Sequence, residues 1–80
     1  MLSKFCFIIN NWDLSCVELD ENDEYAIDIR GYDPWVKDNF GSHSTYYAEI
    51  ECTTQQANEI CRIYNEEDCS FNDALDKCNL

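Results

Sequence analysis

Glycine, proline, histidine and basic residues are scarce in this chain. Its 80 residues include two glycines, one proline, one histidine and five lysines or arginines. The six cysteines form no close pair and stand at Cys6, Cys16, Cys52, Cys61, Cys69 and Cys78. Small disulfide scaffolds usually combine close cysteine pairs with loops rich in glycine and proline. We therefore expect reduced thiols that pack as small hydrophobic groups.

An even number of cysteines in a short chain also permits a second interpretation. The chain would then be a secreted effector or toxin-like domain stabilised by disulfides between its six cysteines. The cysteine spacing does not select one pairing. A count of free thiols in the denatured protein distinguishes the two interpretations.

A long hydrophobic segment is also missing. The longest apolar run covers residues 5–9 and follows a single basic residue, Lys4. This run is too short for the core of a signal peptide and for a membrane span. Because both of its alternating faces are apolar, we interpret it as a buried strand.

Acidic residues, in contrast, are abundant. The 17 Asp and Glu residues bring the formal net charge to −12. Hydrophobic residues make up 45% of the chain and aromatic residues 14%, which excludes a purely disordered acidic tail. We expect one globular domain over residues 1–80 with a modest core. Its electrostatic field should repel nucleic acid and anionic membranes and attract basic protein surfaces.

Two adjacent periodicities organise the second half of the chain. Residues 46–52 alternate as a half-buried strand does. The predicted inner face of this strand carries Tyr46, Ala48, Ile50 and Cys52. Its predicted outer face carries Tyr47, Glu49 and Glu51. Thr53 and Gln56 then have the spacing of a capping box, which predicts a helix over residues 53–64.

The other segments predict further strands and short helices. Strands are expected at residues 5–9, 15–19 and 24–30, with an acidic hairpin turn at residues 20–23. In the third strand, Tyr25, Ile27 and Ile29 would point inward. Short helices are expected at residues 34–40 and 70–78. The fold class is then α+β with two layers. About four antiparallel strands would form one layer, and one long and one or two short helices would cover one face.

Specific metal sites are not expected. Asp20, Asn22 and Glu24 alternate like the first ligands of an EF-hand loop. However, Tyr25 occupies the position of the required glycine and Gly31 that of the bidentate glutamate. Structural zinc sites usually contain cysteine pairs separated by two to four residues, and this chain has none.

Catalysis and cofactor binding are not expected either. A nucleophilic cysteine needs a nearby base, and His43 is the only imidazole. The acidic field also raises thiol pKa values and disfavours the reactive thiolate. We therefore predict a protein that is not an enzyme and holds no cofactor.

The acidic and aromatic residues together predict a partner-binding surface. Carboxylates would attract a basic groove, and aromatic side chains would provide desolvated anchors. The predicted members are Glu18, Asp20, Glu21, Asp23, Glu24, Asp28, Tyr32, Trp35, Tyr47, Glu49 and Glu51.

No segment matches the sequence pattern of a particular family. In length and charge, the chain resembles small acidic inhibitor proteins. These include nucleic-acid mimics made by phages, anti-CRISPR proteins among them, and immunity proteins that neutralise basic nucleases. The resemblance implies an inhibitor that occupies the basic groove of a nuclease or CRISPR-type effector. If Met1 is the native start, we expect a cytoplasmic protein, located in the host cytosol if a phage encodes it.

Overall fold

The computed structural model describes all 80 residues and shows an α+β fold, as predicted. Three strands and four helices follow one another as β1 (Ser3–Asn10), β2 (Asp13–Glu18), α1 (Glu21–Arg30), α2 (Tyr32–Phe40), β3 (Ser44–Cys52), α3 (Thr54–Glu67) and α4 (Phe71–Lys77). None of the four helices combines the length and the apolar composition that crossing a membrane requires.

The strands form an antiparallel sheet in the order β2-β1-β3, with β1 in the centre. Phe5 and Phe7 of β1 pack with α3 and α4, whereas Cys6 and Ile8 pack with α1 and α2. The helices therefore cover both faces of the sheet, and the predicted two-layer arrangement is wrong. The reason is that β1 is apolar on both faces, so each face must be buried against another element.

Helix α3 agrees with its prediction. The side chain of Thr53 accepts a hydrogen bond from the Gln56 N–H at 3.1 Å, and Gln56 Oε1 accepts one from the Thr53 N–H at 3.0 Å. This capping box satisfies two backbone donors that a helix start leaves unpaired. Ala57, Ile60 and Ile63 then form a buried stripe against the sheet.

The segment predicted as a third strand is helix α1. The Asp23 N–H donates to Asp20 Oδ1 at 2.8 Å, and the Asp20 N–H donates to Asp23 Oδ2 at 3.2 Å. The two aspartates therefore cap a helix and do not form a hairpin turn. Of the three apolar residues expected to point inward, only Ile27 is buried, whereas Tyr25 and Ile29 are exposed. Alternating apolar residues suit a strand, but here local capping favours the helix.

Strand β3 contains a bulge that changes its predicted faces. Phe7 pairs with Ala48 and Ile8 pairs with Tyr46, so Tyr47 has no partner in the register. As a result, Tyr46 turns towards α1 and α2 while Ala48 faces α3 and α4. The prediction that these two residues share a face is therefore wrong, because an extra residue reverses the alternation.

The free edge of β2 is covered by a side chain of α3. Asn65 Oδ1 accepts a hydrogen bond from the Leu14 N–H at 2.8 Å, and Asn65 Nδ2 donates to the Leu14 carbonyl at 2.9 Å. The amide thus takes the place of a neighbouring strand at this position. Such protection limits pairing of the edge with other chains.

The turn between β1 and β2 places a tryptophan, Trp12, in a conformation with positive φ. Asn11 and Trp12 form a two-residue loop with φ of 52° and 76°. Positive φ at both positions is the pattern of a type I′ turn, which favours Asn-Gly. The bulky Trp12 therefore occupies a left-handed conformation that usually costs an L-residue about 1–2 kcal/mol. Its side chain is 92% exposed and gains no packing within the fold.

We predict that Ile60→Ala lowers the free energy of unfolding by about 2–4 kcal/mol, because Ile60 is completely buried and its truncation leaves a cavity. Urea denaturation of both proteins measures the difference. The control is Ile29→Ala, which removes the same side chain from an exposed position and should change the value by less than about 0.5 kcal/mol. Equal losses would show that α3 does not pack as described.

We predict that Trp12→Gly raises the free energy of unfolding by about 0.5–1 kcal/mol, because glycine adopts positive φ without the steric cost of a Cβ. Thermal and urea denaturation measure the change. Asn11→Gly is the matched control at the neighbouring position and should have a smaller effect, since asparagine tolerates this conformation. A less stable Trp12→Gly protein would contradict the assigned turn.

Candidate functional site

Helix α1 places several carboxylates along one side. Glu21, Glu24 and Asp28 are spaced by three and four residues, so their side chains lie on the same side of the helix. Ile27 lies next to this side and holds the helix against Cys6 and Ile8 of the sheet. This contact with the sheet fixes the orientation of α1 and therefore the side of the helix from which the three carboxylates project.

Strand β3 brings two more carboxylates to the same face of the sheet. Glu49 and Glu51 alternate with Ala48 and Ile50, which pack towards α3 and α4. Glu49 lies opposite Cys6 of β1 in the register. The bulge at Tyr47 precedes these residues, so regular alternation continues through them.

The carboxylates of α1 and those of β3 meet around an open concavity of about 210 Å³. Its lining residues are Lys4, Glu24, Ile27, Asp28, Tyr32 and Glu49. We define the acidic face as the three carboxylate residues of this lining together with one neighbouring carboxylate on each element, namely Glu24, Asp28 and Glu49 with Glu21 of α1 and Glu51 of β3. The structure therefore joins residues that lie more than twenty positions apart in the sequence.

Lys4 is the one basic residue in the concavity. Its Nζ lies 2.8 Å from Glu24 Oε1. The hydrogen bond and charge of Glu24 raise the pKa of Lys4, and the charges of Glu49 and Glu51 add to this effect. One lysine is thus surrounded by three carboxylates, and the region keeps a negative charge.

The other four basic side chains also form ion pairs or hydrogen bonds within the fold. Arg30 pairs with Asp38, Arg62 with Glu59 at 2.9 Å, and Lys77 with Glu67 at 2.6 Å. The remaining cation, Lys37, donates to the Ser44 carbonyl at 3.2 Å. Exposed ion pairs of this kind stabilise little, but they reduce the number of free positive charges.

Three residues predicted for the partner-binding surface lie outside the acidic face, namely Glu18, Asp20 and Asp23. Asp20 and Asp23 lie at the start of α1, where each carboxylate accepts a backbone N–H of the other residue. Glu18 pairs with Phe5 in the register and so belongs to the face of the sheet covered by α3 and α4. Its side chain therefore points away from the acidic face, because neighbouring strand residues in register share a side.

The predicted aromatic anchors are mostly engaged within the fold. Trp35 is 4% exposed, because it packs together with Val36 of α2 against the sheet. This burial excludes Trp35 as a surface anchor. Tyr47 packs against Phe71 of α4 with ring centroids 4.9 Å apart, on the face opposite the acidic face. Tyr32 lines the concavity and stacks on Tyr46, with centroids 4.1 Å apart.

The sequence interpretation missed two exposed apolar residues, Tyr25 and Ile29. It assigned them to the inner face of a strand, although both are exposed on α1. The signal that could have revealed them is the Asp20–Asp23 spacing, which matches the capping box geometry of a helix start.

The six cysteines are free thiols in the structure. Cys52 belongs to the core between the sheet and α3 and α4, and Cys16, Cys61 and Cys78 pack against that core. Burial raises the pKa of Cys52 and Cys78. A hydrogen bond with Cys16, together with burial, raises the pKa of Cys61. Cys52, Cys61 and Cys78 therefore favour the protonated form, whereas the same contact with Cys61 lowers the pKa of Cys16.

Cys6 packs on the opposite face, with α1 and α2. Burial, with the nearby charge of Glu49, raises its pKa to about 12. No group of three or more histidine, cysteine or acidic side chains is arranged to hold a metal ion. Cys6 and Cys52 are buried in the two core clusters, and the other four cysteines are half-buried.

We predict that thiol titration of the denatured, unreduced protein finds close to six free groups, because all six side chains are free and partly or fully buried. A thiol-specific chromogenic reagent provides the count, and a sample reduced beforehand is the control. A count near zero would instead support the secreted, disulfide-stabilised interpretation.

Comparison of the chain with protein-family models, with curated proteins and with solved structures finds no match in any of the three. The function must therefore be inferred from the chemistry of the surface.

Proposed function

We propose that the protein is a non-enzymatic inhibitor that binds the basic groove of a nucleic-acid-processing protein. The observation that carries this proposal is the acidic face, on which carboxylates from α1 and β3 converge around one lysine. Nucleases and CRISPR-type effectors hold nucleic acid in positively charged channels. A surface that presents carboxylates in place of phosphates is complementary to such a channel.

The charge of the whole chain supports association with a basic partner. With a formal net charge of −12, the protein has a long-range field that steers basic surfaces towards it. Binding would release the anions that the partner's groove otherwise holds. Association should therefore be fast, and its equilibrium constant should fall steeply as salt concentration rises.

The rigidity of the acidic face supports binding at a defined groove. Glu21 and Asp28 stand on a capped helix, seven residues and thus about 10 Å apart along its axis. Glu49 and Glu51 stand on a strand hydrogen-bonded to β1. Carboxylates on regular elements lose less conformational entropy on binding than carboxylates on flexible loops.

The partner itself can be obtained by affinity capture. Immobilised protein is incubated with a nuclease-rich lysate at low salt, and the retained proteins are identified by mass spectrometry. The partner is then purified, and its affinity for the inhibitor is measured at several salt concentrations. A competing oligonucleotide should displace the inhibitor, because both ligands would occupy the same groove.

We predict that Asp28→Asn combined with Glu49→Gln weakens partner binding and reduces the salt dependence, since two carboxylates of the acidic face are neutralised. The matched control is Glu66→Gln with Asp76→Asn, which removes the same two residue types from α3 and α4. Glu66 also lies near a cation, Arg62, as Glu49 lies near Lys4.

The control pair should keep most of the affinity and the steep salt dependence. Equal losses for both pairs would contradict binding through the acidic face and indicate a general effect of net charge. Failure of the oligonucleotide to compete would contradict occupation of a nucleic-acid groove.

A further inference from the structure

The outer side of α1 carries two apolar side chains that no other part of the chain covers. Tyr25 is 68% exposed and Ile29 is 65% exposed. The two residues are four positions apart, so they lie next to each other on the helix surface. A surface helix normally presents polar residues to solvent at such positions.

The geometry of the helix places this pair directly opposite the sheet. Successive residues are about 100° apart around the axis, so Tyr25 and Ile29 point within about 20° of the direction opposite the buried Ile27. Asp28 lines the concavity, and Glu21 lies seven residues earlier on the same flank of the helix. The apolar pair is therefore bordered by part of the acidic face.

We propose that Tyr25 and Ile29 contact the base-binding part of a groove for single-stranded nucleic acid, while the flanking carboxylates take the positions of phosphates. This inference rests on the proposed function and specifies its partner. Grooves that bind single strands combine basic residues with aromatic side chains on which bases stack. The tyrosine ring can stack on such a side chain as a base does.

The alternation of apolar and negative groups favours a single-strand groove over a duplex groove. In a duplex, the bases are stacked inside, and most protein contacts go to phosphates and sugars. In a single strand, bases and phosphates are both available to the protein. A protein that imitated only the phosphates of a duplex would need exposed carboxylates but no exposed apolar side chains such as Tyr25 and Ile29.

The charge distribution argues against two other occupants. A second copy docked through α1 would bring Glu21 and Asp28 of both chains together, and each chain carries a formal net charge of −12. An anionic membrane would be repelled for the same reason. A basic partner with an apolar strip is complementary to both the exposed apolar pair and the neighbouring carboxylates of α1.

Two synthetic peptides of equal length and equal positive charge test this inference. In one peptide, lysines are interspersed with glycine; in the other, they are interspersed with tryptophan. Isothermal titration at low salt should show that the wild-type protein binds the tryptophan peptide about tenfold more tightly, as expected for one stacked aromatic ring. Tyr25→Ser with Ile29→Ser should remove this preference and change glycine-peptide binding by less than about twofold.

Two variants control for the nature and the position of the aromatic group. Tyr25→Phe keeps a ring and should retain the preference. Trp12→Gly removes another exposed aromatic residue, at the far end of β1, and should also retain it. Thermal denaturation of each variant verifies that it is folded under the conditions of the titration.

The possible results separate this inference from the proposed function. Equal affinity of the wild type for both peptides, or a preference that survives Tyr25→Ser with Ile29→Ser, would overturn the inference and leave charge-driven binding intact. A preference lost equally in Trp12→Gly would also overturn it. Absence of binding to both peptides would contradict the proposed function itself.

Discussion

The structure depends on one constraint: the central strand β1 is apolar on both faces. Phe5 and Phe7 point to one side of the sheet, and Cys6 and Ile8 point to the other. An apolar sheet face must be buried, so each side requires a helical layer. The chain supplies α1 and α2 between β2 and β3, and α3 and α4 after β3. Burial on both sides gives a short chain more core than a single helical layer would.

The acidic composition is compatible with this fold because the charges are kept out of the core. The buried residues are hydrophobic except for Ser44, whose hydroxyl donates to the Phe40 carbonyl and accepts from Asn10. Five of the 17 acidic residues have an ion-pair partner, and Asp20 and Asp23 are used to start α1. The remaining repulsion between carboxylates opposes folding. A binding role for the acidic face would explain why this cost is retained.

Helix α1 connects the fold with the proposed function. It is held to the sheet mainly through Ile27, and its opposite side exposes Tyr25 and Ile29. The same helix contributes three carboxylates to the acidic face. A short segment thus has one side for packing, one flank for charge and one side for apolar contact. This division is possible because an α-helix distributes successive residues around its axis.

Local sequence signals were sufficient to predict the elements for which those signals agree. Periodicity and capping both predicted α3 from Thr53 onward, and the apolar run at residues 5–9 predicted β1. The acidic character of the surface also followed from composition. In α1, however, the alternation of Tyr25, Ile27 and Ile29 indicated a strand, while the capping pair favoured a helix. Packing across the whole fold favours the helix, because β1 already has two strand neighbours and its second face must be covered. The bulge at Tyr47 and the meeting of Glu49 with α1 likewise depend on strand register, which is set by pairing across the sheet and not by local sequence.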